Sequence, residues 1–174
     1  VGAAGLTLAR RRSGGGAVLL VPGAQVWVYV FLPVGDDRWC TDVDRSAWWL
    51  GDVWIAALEA LHPSLAGRLA VHRAPSSDRA SGRVACFASV GPGEVLLDGR
   101  KLVGISQRRT RHWARFQCVV HLDWHPELVL ASLSAPAATP QVVDALHQVA
   151  TLGDAAGPLY EWSVVEALHS HLPA

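Results

Sequence analysis

Two short stretches of this 174-residue chain combine residue types that do chemistry. The first runs Arg10, Arg11, Arg12, Ser13, Gly14, Gly15, Gly16, Ala17. Guanidinium forks grip carboxylate or phosphate oxygens, and residues without side chains let backbone N–H groups approach a ligand closely. The chemistry would be anion and carbonyl recognition. No GKS or GKT follows, so the stretch is not a P-loop. The second, GPGEVLLDGRKLVGISQRRTR at 91–111, presents Lys101, the single lysine among 15 basic residues. A compact ammonium among arginines offers a point charge to an oxygen on which negative charge develops. Each stretch alone also fits a plainer role: a glycine turn beside solvated charges, or a solvent-facing hairpin lysine.

The elements that must position these residues follow from periodicity. LTLARR at 6–11 alternates and reads as a strand; AVLLV at 17–21 and VWVYVFL at 26–32 read as paired strands of a buried sheet. Apolar residues at helical spacing from Asp42 to Leu61 predict one amphipathic helix ending at Pro63. The polar stretch 72–83 reads as a loop crossing an active site, and strands resume with VACFASV, EVLL and KLVGIS. Asp98-Gly99 between the last two is a hairpin signal, because both turn positions tolerate positive φ. A further strand is predicted over 114–124, then helices near 125–133, 140–152 and 160–171. Strands, one helix, strands, then helices argue for an α+β (mixed α/β) fold, a central mixed sheet flanked by helices.

Composition bounds the function. With 51% hydrophobic residues the chain buries one core, so 1–174 reads as a single domain. Fifteen acidic residues balance the basic ones, so no net field recruits nucleic acid or an anionic membrane. No apolar run approaches the roughly 20 residues of a membrane span, and the chain reads as cytoplasmic. Three cysteines without CxxC pairing indicate neither a disulfide framework nor zinc, and the eight histidines show no HExxH pattern. There is no methionine, and the chain opens on Val1, which fits either a trimmed N-terminus or a GTG start codon translated literally as valine.

RRRSGGGAV followed about 85 residues later by GRKLVGISQRR resembles the lipoate-protein ligases and octanoyltransferases, as do CFAS at 86–89 and the strand after the hairpin. The resemblance covers about residues 8–131. It implies a sheet and helices like those of biotin ligases and class II aminoacyl-tRNA synthetases, in a partial catalytic domain. It implies protein lipoylation: attachment of a lipoyl or octanoyl group to a lysine of a lipoyl domain, in a 2-oxoacid dehydrogenase E2 or the glycine cleavage H protein. The donor would be free acid activated by ATP with magnesium, or a thioester of acyl carrier protein. Lys101 would be the catalytic residue, and Arg11, Arg12, Ser13, Gly14, Gly15, Gly16 and Ala17 the ligand loop. Gly104 would let the next strand pack close to the ligand, and Val18, Leu19, Leu96 and Val103 are candidate tunnel walls. Burying about seven methylenes at about 0.8 kcal/mol each would hold the chain in that tunnel.

The departures bear on which reading holds. Leu19, Leu20 and Val21 stand where the family's loop continues as Tyr-His-Asp. Gly91, Pro92, Gly93 and Glu94 replace a GRND segment, leaving Glu94 as a weak candidate for a metal ligand and no metal site indicated. Some octanoyltransferases carry the acyl group on a cysteine, but Cys118 reads as a buried structural thiol. The alternative is a divergent, non-catalytic member that binds lipoate, an acyl group or a lipoyl domain. A biotin ligase is disfavoured by the RRxSGGG loop, and a nucleic-acid binder by the balanced charge.

Overall fold

The computed structural model describes residues 5–10, 15–157 and 159–173. Five strands form one antiparallel sheet: β1 (Gln25–Pro33), β2 (Leu69–Val71), β3 (Val95–Leu97), β4 (Arg100–Arg109) and β5 (Trp113–His121), in the order β1-β5-β4-β3-β2. The helices are α1 (Trp48–Leu61), α2 (Arg79–Val84), α3 (Pro126–Ser132), α4 (Pro140–His147), α5 (Leu152–Ala156) and α6 (Glu161–His171). The β3–β4 hairpin turns on Asp98 and Gly99 with φ of 48° and 79°, both left-handed as the dipeptide predicts.

Period-2 alternation sorts the long strands onto two faces. Val26, Val30 and Leu32 of β1 and Ala114, Phe116, Cys118 and Val120 of β5 point to one face. There they pack on Leu50, Trp54 and Leu58 of α1 and Val164 and Leu168 of α6. The other face carries Trp27, Val119 and His121, and a smaller cluster of Ala85, Phe87, Val129, Val142 and Leu146 partly covers it.

One irregularity decides where Lys101 points. Val95 pairs with Val103 but the next residue, Leu96, pairs with Lys101, so β4 carries one extra residue at Leu102. Such a bulge resets the alternation. Leu102 and Val103 both join the α1/α6 core, while Lys101 emerges on the same face as Gly104. Without the bulge Lys101 would share the face of Val103, inside that apolar core. The carbonyl of Lys101 accepts a hydrogen bond from Ala150 N–H at 2.9 Å, which ties the bulge to the segment between α4 and α5.

Several expectations differ. Residues 6–10 form no strand, and Leu8 is 81% exposed. The stretch 17–21 is not a partner of β1; only Ala17 pairs, in an isolated parallel bridge to Ala85, and its backbone is tied to Val84 and Cys86 rather than to the sheet. Residues 42–47 are turns rather than helix, since the Asp42 carboxylate accepts the N–H groups of Asp44 and Arg45 at 2.9 and 3.3 Å and closes a local turn instead. VACFASV is a 3-10 turn at Cys86–Ala88 rather than a strand, and its carbonyls are turned toward Lys101. The polar loop 72–83 contains most of α2, capped by Asp78, which accepts from Ala80 and Ser81 N–H at 2.9 and 3.1 Å. Strand β2 is three residues long and carries no clear sequence pattern.

Candidate functional site

Lys101 is buried, 6% exposed, although it follows a hairpin turn directly. Its ammonium donates to the Cys86 and Ser89 carbonyls, both at 2.9 Å, and pairs with Glu94 Oε2 at 2.6 Å. It also lies 4.7 Å from the centre of the Phe87 ring, a cation–π contact. Three acceptors match the three donors of an ammonium. Glu94 is equally committed: Oε2 accepts Gly91 N–H at 2.7 Å and Oε1 accepts Ile105 N–H at 3.0 Å. Both carboxylate oxygens are therefore occupied by protein groups, and among the described residues no three His, Cys, Asp or Glu side chains cluster to hold a metal.

Above this pair lies a pocket of about 360 Å³, within the size range of small-ligand sites. It is lined by three segments remote in sequence: Gly15 and Val18 from the glycine loop, residues of 76–94, and Lys101, Gly104 and Ser106 from β4. Val18, Trp27, Phe87 and Val119 supply apolar wall, and Arg79 and Arg83 supply positive charge. Gln117 Oε1 and Trp27 Nε1 belong to pocket residues and are buried without a hydrogen-bond partner. Gly15 of the glycine loop and Lys101 of the hairpin thus line one pocket, as the resemblance implies.

Their roles within it divide. Gly15 lines the pocket with φ of 99°, a conformation open to glycine. Gly16 and Ala17 instead anchor the loop: their N–H groups donate to the Gly82 and Val84 carbonyls at 2.9 Å, and Cys86 N–H donates back to Ala17 at 2.9 Å. A Cβ on Gly16 would lie 2.5 Å from Ala85 N, so only glycine permits this approach. Arg11, Arg12, Ser13 and Gly14 lie outside the described residues. At Gly104 the close neighbour is not a strand but the Phe87 ring, 3.0 Å from where a Cβ would stand, with Lys101 Cε at 3.4 Å. Of the candidate walls Val18 lines the pocket, Leu19 packs in the smaller cluster and Val103 is core. Leu96 is not among the lining residues.

The cysteines separate by face. Cys118 is fully buried among α1 and sheet residues, and burial pushes its thiol up to about 12. Cys86 is half-buried and lines the pocket. Beneath the pocket His121 is 1% exposed, its ring 4.4 Å from both Phe87 and Trp124, with neither nitrogen hydrogen-bonded. Burial, then the nearby charge of Lys101, push its imidazole down to about 3, so it is neutral. Arg79, Arg83, Cys86 and His121 were not distinguished by sequence. The arginines lie in a stretch that reads as loop, and their i,i+4 spacing carries meaning only once that stretch is helical.

The fold is that of the lipoate-protein ligases, a class II synthetase-like α+β fold. It matches a protein of T. acidophilum assigned as a lipoate protein ligase and solved with bound lipoic acid, at TM-score 0.64 and 16% identity over 98% of this chain and 58% of that one. It also matches lipoate-protein ligase A bound with ATP, at TM-score 0.62 and 18% identity over 98% of this chain and 59% of the other. The chain thus spans less than two thirds of either relative. No curated protein sequence matches it significantly. The lipoyl protein ligase A/B catalytic domain model matches residues 1–165, and the chain belongs to that family.

Proposed function

We propose that this pocket binds a lipoyl or octanoyl group and that the domain passes it to the ε-amine of a lysine in a lipoyl domain, of the E2 or glycine cleavage H protein type. The observation that carries this is the convergence of the glycine loop and Lys101 on one pocket with apolar walls and a cationic rim. The walls suit methylenes, and the buried ammonium lies where an acyl carbonyl would gain charge. Activation of a free acid by ATP is the family's ligase route. With both Glu94 oxygens engaged, the described residues do not fit a magnesium ion, and no step here is routed through one.

A thioester donor suits the residues present. The thiolate of Cys86 would attack the donor carbonyl, forming acyl-Cys86 and breaking the donor C–S bond to release the donor thiolate, which takes up the proton freed in the next step. The carrier lysine amine would then attack acyl-Cys86, forming the amide, restoring the cysteine and releasing the amine's proton. Cys118 cannot take this role from the opposite face of the sheet with a thiol held at about 12. One observation favours the non-catalytic alternative: every donor of Lys101 is already matched within the protein, so contact with an acyl oxygen requires exchange of one of these bonds.

The test is transfer to a lipoyl domain, from octanoyl-acyl carrier protein in one arm and from octanoate with ATP and magnesium in the other. Catalysis predicts acylated carrier, and the thioester route predicts a single octanoyl adduct by intact mass that disappears in Cys86→Ser. Binding of octanoate with no acylated carrier from either donor would instead establish the non-catalytic reading.

A further inference from the structure

Four buried polar side chains line the pocket among the described residues: Ser89, Glu94, Lys101 and Gln117. Three of them are matched within the protein. Ser89 Oγ lies 3.1 Å from Ser76 Oγ and accepts Asp78 N–H at 3.3 Å. Glu94 and Lys101 are bonded to each other and to backbone groups at every donor and both carboxylate oxygens. Gln117 differs. It is 8% exposed, its Oε1 is sealed from water without a partner, and no described group bonds its Nε2.

Nothing beside Gln117 supplies the missing bonds. It stands on β5, the strand between β1 and β4, with Tyr29 opposite on one side and Ser106 on the other. Backbone polar groups at this point are consumed by the two ladders. Gln107 on β4 gives the contrast. It also lines the pocket, but its Nε2 donates to the Val43 carbonyl at 2.7 Å and its Oε1 accepts Ser46 Oγ at 2.9 Å. The fold closes one carboxamide with protein groups and leaves the other open to the pocket.

A buried, unpaired carboxamide is destabilising, and an apolar side chain of the same length would not be. The residue is accounted for once a ligand is bound. A methylene chain cannot satisfy an amide, so Gln117 must meet the polar end of an acyl group. There the acyl carbonyl is the acceptor, and the N–H groups of Nε2 are the donors that the sealed Oε1 leaves for it. Lys101 is the poorer source of that bond, since it would first have to release Cys86, Ser89 or Glu94.

Taking the pocket as the acyl-donor site, on which this rests, we infer that Gln117 positions the acyl carbonyl by a hydrogen bond from Nε2. Lys101 stays in its clamp with Glu94 and contributes charge from a fixed place.

The test uses two probes that differ only at the carbonyl: S-octanoylpantetheine, a thioester, and S-octylpantetheine, the corresponding thioether. Titrated by calorimetry, the full chain should bind the thioester about tenfold more tightly, the size of one hydrogen bond to a group otherwise left unpaired. In Gln117→Met, which keeps the length and removes the amide, the preference should vanish while thioether affinity stays within about twofold. The same variant should unfold at an equal or higher urea concentration, because an unpaired polar group is gone. Equal affinity of the parent for both probes would overturn the inference, as would a preference that survives Gln117→Met. A variant that is less stable and loses the thioether as well would show a structural glutamine and overturn it too. Carrier acylation by Gln117→Met at the parental rate would sink the positioning role and leave the transfer reading intact. A carbonyl preference that follows Gln117 without any acylated carrier would do the reverse. Failure of both probes to bind would remove the acyl-site reading and this inference with it.

Discussion

The two faces of the sheet are built from the same strands and differ in almost every other respect. Toward α1 and α6 the strands present an unbroken apolar surface, with Phe116, Cys118, Val120, Leu102 and Val103 at no measurable exposure. Toward α2 and α4 the same β4 and β5 present Lys101, Gly104, Gln117 and His121, and the layer opens into a pocket. The covered face buries carbon and needs nothing further. The other buries a cation, an imidazole and an amide, each costly without partners, and only the cation is fully matched. A single extra residue at the β4 bulge separates the two regimes, because it moves Lys101 from the first face to the second. The apolar core is concentrated on one side of the sheet and the pocket lies on the other.

The sharpest way to break this comparison is to remove the matched cation. Lys101→Met strands the Glu94 carboxylate in a buried site and should cost about 3–5 kcal/mol in urea unfolding, the range for breaking one half of a buried pair. Adding Glu94→Gln removes the stranded charge, so the double variant should be more stable than Lys101→Met alone. A Lys101→Met protein within about 1 kcal/mol of the parent would show that the pair is solvated, and that the two faces differ less than their burial indicates.

The second test uses the unmatched imidazole. His121 stays neutral in the fold down to about pH 3, whereas in the unfolded chain it takes up a proton below its ordinary value of 6.5. Between those values the unfolded state binds more protons. The contribution is therefore complete above pH 6.5 and is lost progressively as pH falls toward 3. His121→Leu should flatten that part of the profile, so that the urea midpoint drops less between about pH 7 and about pH 4.5 than it does in the parent. Asp36, Asp78 and Asp98, whose carboxyls are also held low, titrate alike in both proteins and cancel in the comparison. An unchanged profile would mean that His121 already exchanges protons with solvent.

The legibility of the sequence follows the same division. The covered face was readable because it is periodic: VWVYVFL alternates as β1 does, and Leu50, Trp54 and Leu58 repeat as α1 requires. The hairpin was readable because Asp98 and Gly99 occupy positive φ. On the pocket face, pattern misled wherever backbone groups serve a side chain rather than a ladder. VACFASV has strand composition, yet its carbonyls hold Lys101. The motif pairing brought Lys101 and the glycine loop together, but nothing in residue type announces a bulge, so by spacing alone Lys101 reads as a solvent-facing hairpin lysine. Arginines in a polar loop looked like ordinary surface, yet Arg79 and Arg83 line the pocket.

The smallest expected effect is at Gly104, where the two faces are closest to being interchangeable. Its backbone is not in the left-handed region, so alanine is conformationally admissible and only space is at issue. The added methyl would stand 3.0 and 3.1 Å from Phe87 ring carbons and 3.4 Å from Lys101 Cε. All three belong to side chains, and a shift of a few tenths of an ångström relieves them. Phe87 is not free to give more, since His121 holds one side at 4.4 Å and the Lys101 ammonium another at 4.7 Å. Gly104→Ala should therefore cost about 1 kcal/mol, the low end for overpacking a close-packed site. At Gly16 the same methyl meets backbone, 2.5 Å from Ala85 N and Val84 C, and the glycine loop must lift from α2. Gly16→Ala should be the more damaging change, lowering the midpoint further and abolishing any ligand binding that depends on Gly15. A larger loss at Gly104 than at Gly16 in paired thermal unfolding would show that Phe87 is the rigid element of the pocket and the glycine loop the adaptable one, the reverse of the arrangement described.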